Sequence, residues 1–483
     1  MPAKTAKTLY TFLKTIIIFV VKNSKETEFM EWQAPKGTRD FYPDETRTRD
    51  YIFDTWKKSC EKYGFEHFDA PVFEHLEVYT SKSGNEIEGQ LYTFEDKGGR
   101  KLALRPELTP SLARMVAARG PELKKPIKWF SIPKLFRYEK MQKGRLREFF
   151  QLNMDILGIE DVSADTELIA AAIDMLRDLG LTADDFSVHI SSRTLLEQLF
   201  LFVGVKKEDL PKLYAILDKM LKVKPEDFSL MIDELIGDVC VSAKVKQILS
   251  AKTLAEISAI CQEGQPQFGQ PRGLPLQDGV GAGLVPAQNG SAQIEPLQEI
   301  TKLFEFLGDL GFADYIKFDI SVVRGLAYYT GIVFEIFDKN KTMRAVAGGG
   351  RYDKLVELYG GQPTPAVGFA VGDVVLSDLL KELGKMPEIR QSCDLFIVPF
   401  DKDYSKVLTT AQKFRNANLS VQYPLKLQNF GKMMKQADNV GAKIVLFVGG
   451  EEEKAGNCKI KIMATGEEKI IPLDKSVAEI CGL

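Results

Sequence analysis

The sequence predicts an α+β protein with at least two domains, the last of which is a small α/β domain. Three observations support this. The 483 residues are too many for a single hydrophobic core. Strand and hairpin patterns occupy much of residues 64–158, whereas residues 185–261 show mostly helical patterns. From Cys393 onward, strands alternate with helices, which is typical of a partly parallel sheet.

Residues 1–32 are expected to form a disordered extension rather than part of the fold. They carry lysines at positions 4, 7 and 14 and the apolar run IIIFVV, which is too short to span a bilayer. A signal peptide or an organellar presequence is an alternative, although the segment has no A-x-A cleavage site and no arginine. We expect Met30 to lie near the working start.

The first domain is expected over residues 33–384 and begins with mixed helices and strands. Its apolar spacing, turn residues and prolines predict the following elements. They are a helix over 45–63 capped by Asp44, a strand over 64–74 broken at Pro71, a hairpin turning at Gly98–Gly99, a helix over 109–120 ending at Gly120, a strand–loop–strand unit over 127–158 and a helix over 165–181.

The second half of this domain contains an insertion. Residues 185–261 show helical patterns separated by Pro and Gly, and they are expected to be an inserted helical module. Residues 262–293 are rich in Gly and Pro and predict a mobile loop, to which we assign no role. A helix near 295–310, strands within 315–337 and a Gly-rich turn at 348–350 follow. The last domain is predicted over residues 391–483.

Composition excludes several classes of protein. The formal charge of −3 gives no global attraction to nucleic acid, so local patches must provide any contact with RNA. The six cysteines have no CxxC spacing and the three histidines have no metal-ligand spacing, so we predict no metal site and no disulfides. This cysteine usage indicates a reducing compartment, and we expect the cytoplasm and no membrane association.

The stretch FRYEKMQKGRLREFFQLNMD (136–155) carries the first functional signal. Alternate residues of a strand share a face, so Gln151 and Asp155 point the same way as Arg147. Arg137 stands on the preceding strand of the hairpin. Guanidinium groups bind phosphate through paired charged hydrogen bonds, and an amide with a carboxylate suits a small polar ligand. A solvated edge hairpin with surface charge is the alternative at this point.

Other segments give this hairpin a family context. FRYE with its basic loop and second strand resembles motif 2 of class II aminoacyl-tRNA synthetases, and GFEHFDAPVFE (64–74) resembles motif 1, with Pro71 at a dimer contact. Four segments narrow the resemblance to histidyl-tRNA synthetases over residues 33–483. They are KGTRDFYPDE (36–45), LRPELTPSLAR (104–114), RGLAYYTGIVFE (324–335) and AGGGRYDKL (347–355).

The resemblance implies a class II antiparallel-sheet catalytic domain with a helical insertion over the acceptor stem, followed by a C-terminal α/β anticodon-binding domain. It implies a homodimer that uses ATP with Mg²⁺, L-histidine and tRNA(His). The implied reaction forms histidyl-adenylate and then transfers histidine to the 3′ end of the tRNA. In the last domain, Lys432, Lys435 and Lys443 are candidates for contact with RNA phosphate.

The resemblance also implies roles for individual residues. Arg137 and Arg324 would be catalytic, converging on the α-phosphate of ATP. Glu139 and Arg145 would join these two arginines in binding ATP. The residues implied to bind histidine are Glu107, Thr109, Gln151, Asp155, Tyr328, Tyr329 and Tyr352.

Two positions depart from the usual family pattern. Ala327 stands where an acidic residue is common, and Gly372–Val375 replaces a Gly-Leu-Glu-Arg segment, so the arginine expected over adenine is missing at Val375. Either Arg344 or Arg351 could replace it. Two other functions remain open, namely a non-catalytic paralogue (a regulatory subunit of ATP phosphoribosyltransferase or a sensor of uncharged tRNA) and a synthetase for proline, threonine or glycine.

Overall fold

A computed structural model describes residues 33–83, 89–217, 220, 223–263, 284–286, 292–322, 329–400 and 403–482. Residues 1–32, most of 262–293, Arg324 and Tyr328 lie outside this set, so the predictions for them are not examined by the structure. Within these ranges, no helix is long and apolar enough to cross a bilayer.

A nine-stranded, largely antiparallel sheet forms the centre of the first domain. Its spatial order is β1–β5–β7–β14–β13–β12–β8–β11, with β6 paired to β7, and only β1–β5 and β8–β11 are parallel among the described pairs. The strands are β1 (Glu66–His67), β5 (Ile127–Ser131), β6 (Lys134–Phe136), β7 (Glu148–Leu157), β8 (Phe186–Ser192), β11 (Ile316–Phe318), β12 (Ile332–Asp338), β13 (Ala347–Arg351) and β14 (Ala366–Gly372).

A smaller antiparallel sheet flanks it, with β4 (Lys101–Leu104) between β2 (Phe73–His75) and β3 (Thr93–Glu95). The break at Pro71 and the hairpin at Gly98–Gly99 are therefore as predicted. Strands β9 (Leu284–Pro286) and β10 (Ala292–Ile294) form a separate pair inside the segment expected to be a loop.

Helices pack on both faces of the large sheet. One face is covered by α1 (Pro43–Lys62), α4 (Ser163–Asp178), α10 (Glu295–Asp309) and α12 (Asp373–Glu382). The helices α3 (Thr109–Arg119) and α11 (Leu355–Leu358) pack with Leu157 and Val333 of the other face, and α2 (Leu76–Ser83) packs on the small sheet. Helix α4 lies between the sheet and the helices α1 and α10. Its run of alanine, leucine and isoleucine is buried nearly all round, as expected for a helix covered on both sides.

The predicted helical insertion begins later than expected. Residues 186–192 form strand β8 of the large sheet, and the helices start at Arg193. They are α5 (Arg193–Phe202), α6 (Leu210–Leu217), α7 (Pro225–Ile236), α8 (Val239–Ser250) and α9 (Leu254–Glu263). The hydrophobic core of these helices is continuous with that of the sheet.

Helix α3 ends at Arg119 with Gly120 as its C-terminal cap, as predicted, and a short 3₁₀ turn follows. Two other local predictions were wrong. Asp44 does not cap α1, because it lies inside the first turn of that helix and pairs with Arg47. The glycines at 348–350 do not form a turn, because β13 hydrogen-bonds to β12 and β14 along both of its edges.

The last domain is a five-stranded α/β unit, as predicted. Strands β15 (Cys393–Pro399), β16 (Val421–Gln422) and β17 (Ala442–Val448) are parallel, and β18 (Asn457–Ile462) and β19 (Glu468–Pro472) are antiparallel. Alternate residues of β15 pack on α13 (Tyr404–Arg415) and on α14 (Phe430–Asn439), so the two helices cover opposite faces. The helices α15 (Glu451–Lys454) and α16 (Ser476–Cys481) complete it.

Candidate active site

A cavity of about 580 Å³ opens on one face of the large sheet. Strands β7, β14, β13 and β12 provide its floor, because residues paired across an antiparallel ladder share a face. The predicted residues that line it are Glu107, Thr109, Arg137, Arg145, Gln151, Asp155, Tyr329 and Tyr352. Sequence positions far apart therefore meet at one site, as expected.

Small residues make the floor concave. Gly348, Gly368, Ala370 and Gly372 face the cavity from the two middle strands, β13 and β14. A Cβ atom at Gly368 would overlap the carboxylate of Asp155, which lies opposite it on β7. A side chain at this glycine would displace the carboxylate, so Gly368 is part of the site, although the sequence analysis did not single it out.

Asp155 is the most buried acid in the cavity. Its side chain is 4% exposed, and the phenol of Tyr352 donates a hydrogen bond to it. Burial raises the pKa of Asp155 to about 7, and the Tyr352 hydrogen bond opposes this rise by favouring the ionised form. A carboxyl group whose pKa lies near neutral pH, inside a polar pocket, is a candidate to accept a hydrogen bond from an N–H group of a ligand.

Glu107 and Arg137 meet at the other wall of the cavity. Glu107 is buried just before helix α3, whose first residue is Thr109. Its segment is held by Arg105, a buried residue that donates to the carbonyl oxygens of Lys134 and Ala70. Arg105 lies within the family-like segment 104–114, but no role was predicted for it.

Arg137 is fixed in place but keeps part of its guanidinium for a ligand. Its Nε donates to the carbonyl oxygen of Pro106 at 2.9 Å, and its guanidinium carbon lies 5.3 Å from the centre of the Phe149 ring. No carboxylate of the described residues forms an ion pair with it. The cation therefore points into the cavity without a neutralising partner.

The remaining basic residues of the hairpin differ in position. Arg145 lines the cavity and forms an ion pair of 2.5 Å with Glu139, whose own side chain is not among the lining residues. Arg147 lies over the ring of Tyr138 at 4.2 Å, outside the cavity lining. Lys143 is exposed and pairs with Glu382.

The segment at 372–375 has a structural role. Asp373 is buried, accepts a hydrogen bond from the Phe150 amide at 2.9 Å and pairs with Arg39 at 2.7 Å. Burial raises the pKa of Asp373 above its ordinary value, and the charge of Arg39 offsets only part of this rise. Val374 and Val375 line the cavity and provide no charge.

Of the two candidate replacements for the missing arginine, only one reaches the cavity. Arg344 is one of its lining residues. Arg351 is buried and forms an ion pair with Asp165 on helix α4, where it also donates to the carbonyl oxygens of Ile159 and Asp161. The structure therefore removes Arg351 as a candidate.

Comparison with known proteins places this site in a family. The profile of the family described as "Histidyl-tRNA synthetase" matches residues 37–224 and 229–373. The chain belongs to the histidyl-tRNA synthetase family. Residues 394–482 match the profile described as "Anticodon binding domain".

Curated relatives of this family cover nearly the whole chain. The histidine–tRNA ligase of Opitutus terrae is 39% identical over 93% of this chain and 98% of its own. The chloroplastic/mitochondrial histidine–tRNA ligase of Arabidopsis thaliana is 38% identical over 90% of this chain and 84% of its own. The crystal structure of histidyl-tRNA synthetase from Nostoc is similar in fold, with a TM-score of 0.74 at 22% identity, covering 94% of this chain and 99% of its own.

These findings confirm the predicted family, the α+β fold class and the enzyme class, that of the histidine–tRNA ligases. They give less support to a non-catalytic paralogue. Arg324 and Tyr328 lie outside the described residues, so the expected convergence of Arg324 with Arg137 stays a prediction.

Proposed function

We propose that this chain activates histidine with ATP in the cavity and transfers it to tRNA(His). One observation carries the proposal: a single cavity is lined both by the buried carboxyl groups of Asp155 and Glu107 and by the guanidinium groups of Arg137 and Arg145. Phe149 and Asp155 are six residues apart on β7, which corresponds to roughly 20 Å along an extended strand. That length accommodates an amino acid placed end to end with a nucleotide.

Histidine would bind between the carboxyl groups of Glu107 and Asp155. Glu107, Thr109 and Gln151 would hold its ammonium group, since carboxylate and amide oxygens accept N–H bonds. Asp155, oriented by Tyr352, would accept the N–H of the imidazole ring, and Tyr329 would line the ring pocket. A ligand without matching donors would leave the buried carboxylate unpaired, which strongly disfavours its binding.

Activation follows from the position of Arg137. A carboxylate oxygen of histidine attacks the α-phosphorus of ATP, and the bond from that phosphorus to the bridging oxygen breaks, releasing pyrophosphate. Arg137 would stabilise the negative charge that builds on the α-phosphate, with Arg324 as its predicted second partner. Arg145 would bind the outer phosphates. Mg²⁺ enters with ATP as part of the substrate and neutralises its phosphates.

In the transfer step, a hydroxyl of the terminal ribose of tRNA attacks the carbonyl carbon of histidyl-adenylate. The bond from that carbon to the phosphate oxygen breaks, and AMP leaves with its phosphate taking up the hydroxyl proton. Exposed Lys432 and Lys435 on α14 are candidates for contact with tRNA phosphate. Lys443 is less suited because it pairs with Asp394 at 2.7 Å.

Histidine-dependent exchange of pyrophosphate into ATP tests this function. We expect exchange with histidine and Mg²⁺, and none after removal of the metal by EDTA. Absence of exchange would favour the regulatory paralogue, and exchange with proline, threonine or glycine instead would favour another synthetase.

The variant Arg137→Lys tests the catalytic assignment. Lysine keeps the charge but lacks the planar fork, so it cannot both bond to the Pro106 carbonyl and face the phosphate. We expect kcat for exchange to fall by about 100- to 1000-fold, with KM for histidine changed by less than about threefold. Arg390→Lys, at an exposed arginine outside the cavity, is the control. Unchanged turnover in Arg137→Lys would contradict the assignment.

We also propose that the chain is a homodimer in the cytoplasm. The small sheet exposes Val72, Phe73 and Phe94 beside Pro71, with the two phenyl rings 5.9 Å apart. A neighbouring set of exposed apolar side chains favours a protein contact.

All six cysteines are unpaired, which suits a reducing compartment. Imaging of a tagged chain tests the compartment, and a signal in an organelle would contradict it.

The dimer is tested by Phe73→Glu. We expect the wild-type chain to sediment as a dimer and the variant as a monomer, because a carboxylate buried in an apolar interface is costly. Glu77→Gln, on the adjacent helix α2, is the control for a charge change nearby. A monomeric wild type would contradict the proposal.

A further inference from the structure

The loop between β12 and β13 brings one arginine to the cavity. Arg344 lines the cavity and its Nη2 donates to the side-chain oxygen of Gln142 at 2.6 Å. Gln142 is bridged through its backbone to Arg145 in the basic hairpin. The side chain of Arg344 is therefore directed towards the part of the cavity formed by that hairpin.

Arg344 is exposed to solvent and differs from three other arginines of this domain in its charge balance. Arg39 pairs with Asp373, Arg145 with Glu139 and Arg351 with Asp165. Over the described ranges, no carboxylate forms an ion pair with Arg344. Its positive charge is compensated only by solvent and by the neutral Gln142, so it remains available to a ligand.

The surroundings of Arg344 suit a flat, uncharged ring. Phe149, Val374 and Val375 line the same cavity as Arg344. Gly144 of the basic hairpin packs against Val375, since a Cβ at this glycine would lie 3.0 Å from it. An aromatic ring and small apolar groups provide a stacking surface. A guanidinium above such a surface attracts the π-face of a bound ring.

We propose that Arg344 covers the adenine ring of ATP and so replaces the arginine that the family usually carries at position 375. The inference rests on the proposed function, because it takes ATP as the ligand. The replacement comes from a different element, the β12–β13 loop instead of helix α12. This role of Arg344 would explain how a chain with valine at position 375 can still bind the nucleotide.

Pyrophosphate exchange by the full-length chain tests this assignment. In Arg344→Ala, we expect KM for ATP to rise about 10- to 30-fold while KM for histidine stays within about twofold. Arg390→Ala, at an exposed arginine outside the cavity, is the matched control. A KM for ATP within twofold of the wild-type value in Arg344→Ala would overturn the assignment. Absence of exchange by the wild-type chain would instead reject the proposed function.

Adenosine, used as an inhibitor, separates contact with the base from contact with phosphate. If Arg344 covers adenine, Arg344→Ala weakens inhibition by adenosine by the same factor as it raises KM for ATP. If only KM for ATP rises, Arg344 acts on phosphate and the assignment to the base is wrong. Adding Val375→Arg to Arg344→Ala is expected to restore KM for ATP to within about threefold of wild type, because it returns an arginine to the position that the family usually uses.

Discussion

Asp155 shows how a single residue gains its chemistry from its surroundings. A carboxyl group on a strand would ordinarily be solvated and ionised at neutral pH. Here the Asp155 carboxylate occupies the space left by the missing side chain of Gly368, and the Tyr352 hydroxyl donates a hydrogen bond to the carboxylate. Removal from water is the larger effect, and it raises the pKa to about 7. The protonation state of Asp155 therefore changes within the working range of an enzyme.

This raised pKa predicts a pH dependence of histidine binding. Below about pH 7 Asp155 is protonated and loses acceptor capacity, so KM for histidine should fall roughly tenfold between pH 6 and pH 8 from this group. The imidazole of histidine titrates in the same range in any variant. We therefore compare the wild type with Asp155→Asn, in which the contribution of the residue to the pH dependence should vanish.

A second variant tests the direction of the shift. Tyr352→Phe removes the hydrogen bond that favours ionised Asp155, so the midpoint of the pH dependence should move upward. Identical pH profiles of KM in the wild type and in Asp155→Asn would contradict the role of this carboxyl group. The effect of Asp155 on folding stability runs in the opposite direction to its effect on histidine binding. Because its pKa is raised in the folded state, the protein loses stability as pH rises towards 7.

At the scale of the elements, strand β13 and helix α4 are joined by a buried ion pair. Arg351, the last residue of β13, meets Asp165 in the first turn of α4, and both side chains are almost completely buried. Burial raises the pKa of Asp165 to about 6, and the guanidinium of Arg351 opposes this rise. The pair orients the strand whose glycines form the cavity floor.

Arg351→Met should therefore lower the stability of the fold rather than impair catalysis directly. An unpaired buried carboxylate costs about 3–5 kcal/mol, which we expect as the loss in free energy of unfolding by urea at pH 8. The loss should be smaller at pH 5, where Asp165 is protonated at little cost because its pKa is already raised. Arg390→Met, at an exposed pair with Glu388, should change the free energy by less than about 0.5 kcal/mol. An equal loss at both pH values would contradict this account.

The elements also show what the sequence could and could not predict. The alternation of Gln151, Asn153 and Asp155 placed three polar residues on one face, and the structure has them lining the cavity. Strand β8 carried the same signal, with Val188 and Ile190 alternating with Ser187 and His189, but the helical patterns after residue 193 obscured it.

Strand β13 was not predictable in this way. Three consecutive glycines have no side chains to alternate, so only their hydrogen bonds to β12 and β14 make them a strand. The role of Gly368 was equally hidden, because the segment AVGFAVG does not show which side chain lies over the glycine. The partners of Arg344 and Arg351 depend on loop and helix positions that only tertiary packing fixes.

At the scale of the whole molecule, no hydrophobic cluster of the described residues combines side chains of both domains. The core clusters of the last domain contain only residues from Cys393 to Ile480, and those of the first domain end at Met386. The linker touches the first domain at Ile389, whose carbonyl oxygen accepts a long hydrogen bond of 3.4 Å from Arg47. Separate cores allow each domain to fold without the other.

A chain ending after Gln391 should therefore separate the two half-reactions. It retains Ile389 and the complete cavity, so we expect histidine-dependent exchange with KM values within about threefold of the full chain. It lacks the domain that matches the anticodon-binding profile, so aminoacylation of tRNA(His) should fall by about 100-fold or more. Circular dichroism and thermal unfolding check that the shortened chain is folded. A folded chain without exchange would show that the last domain is needed for activation, and unchanged aminoacylation would show that it does not bind the tRNA.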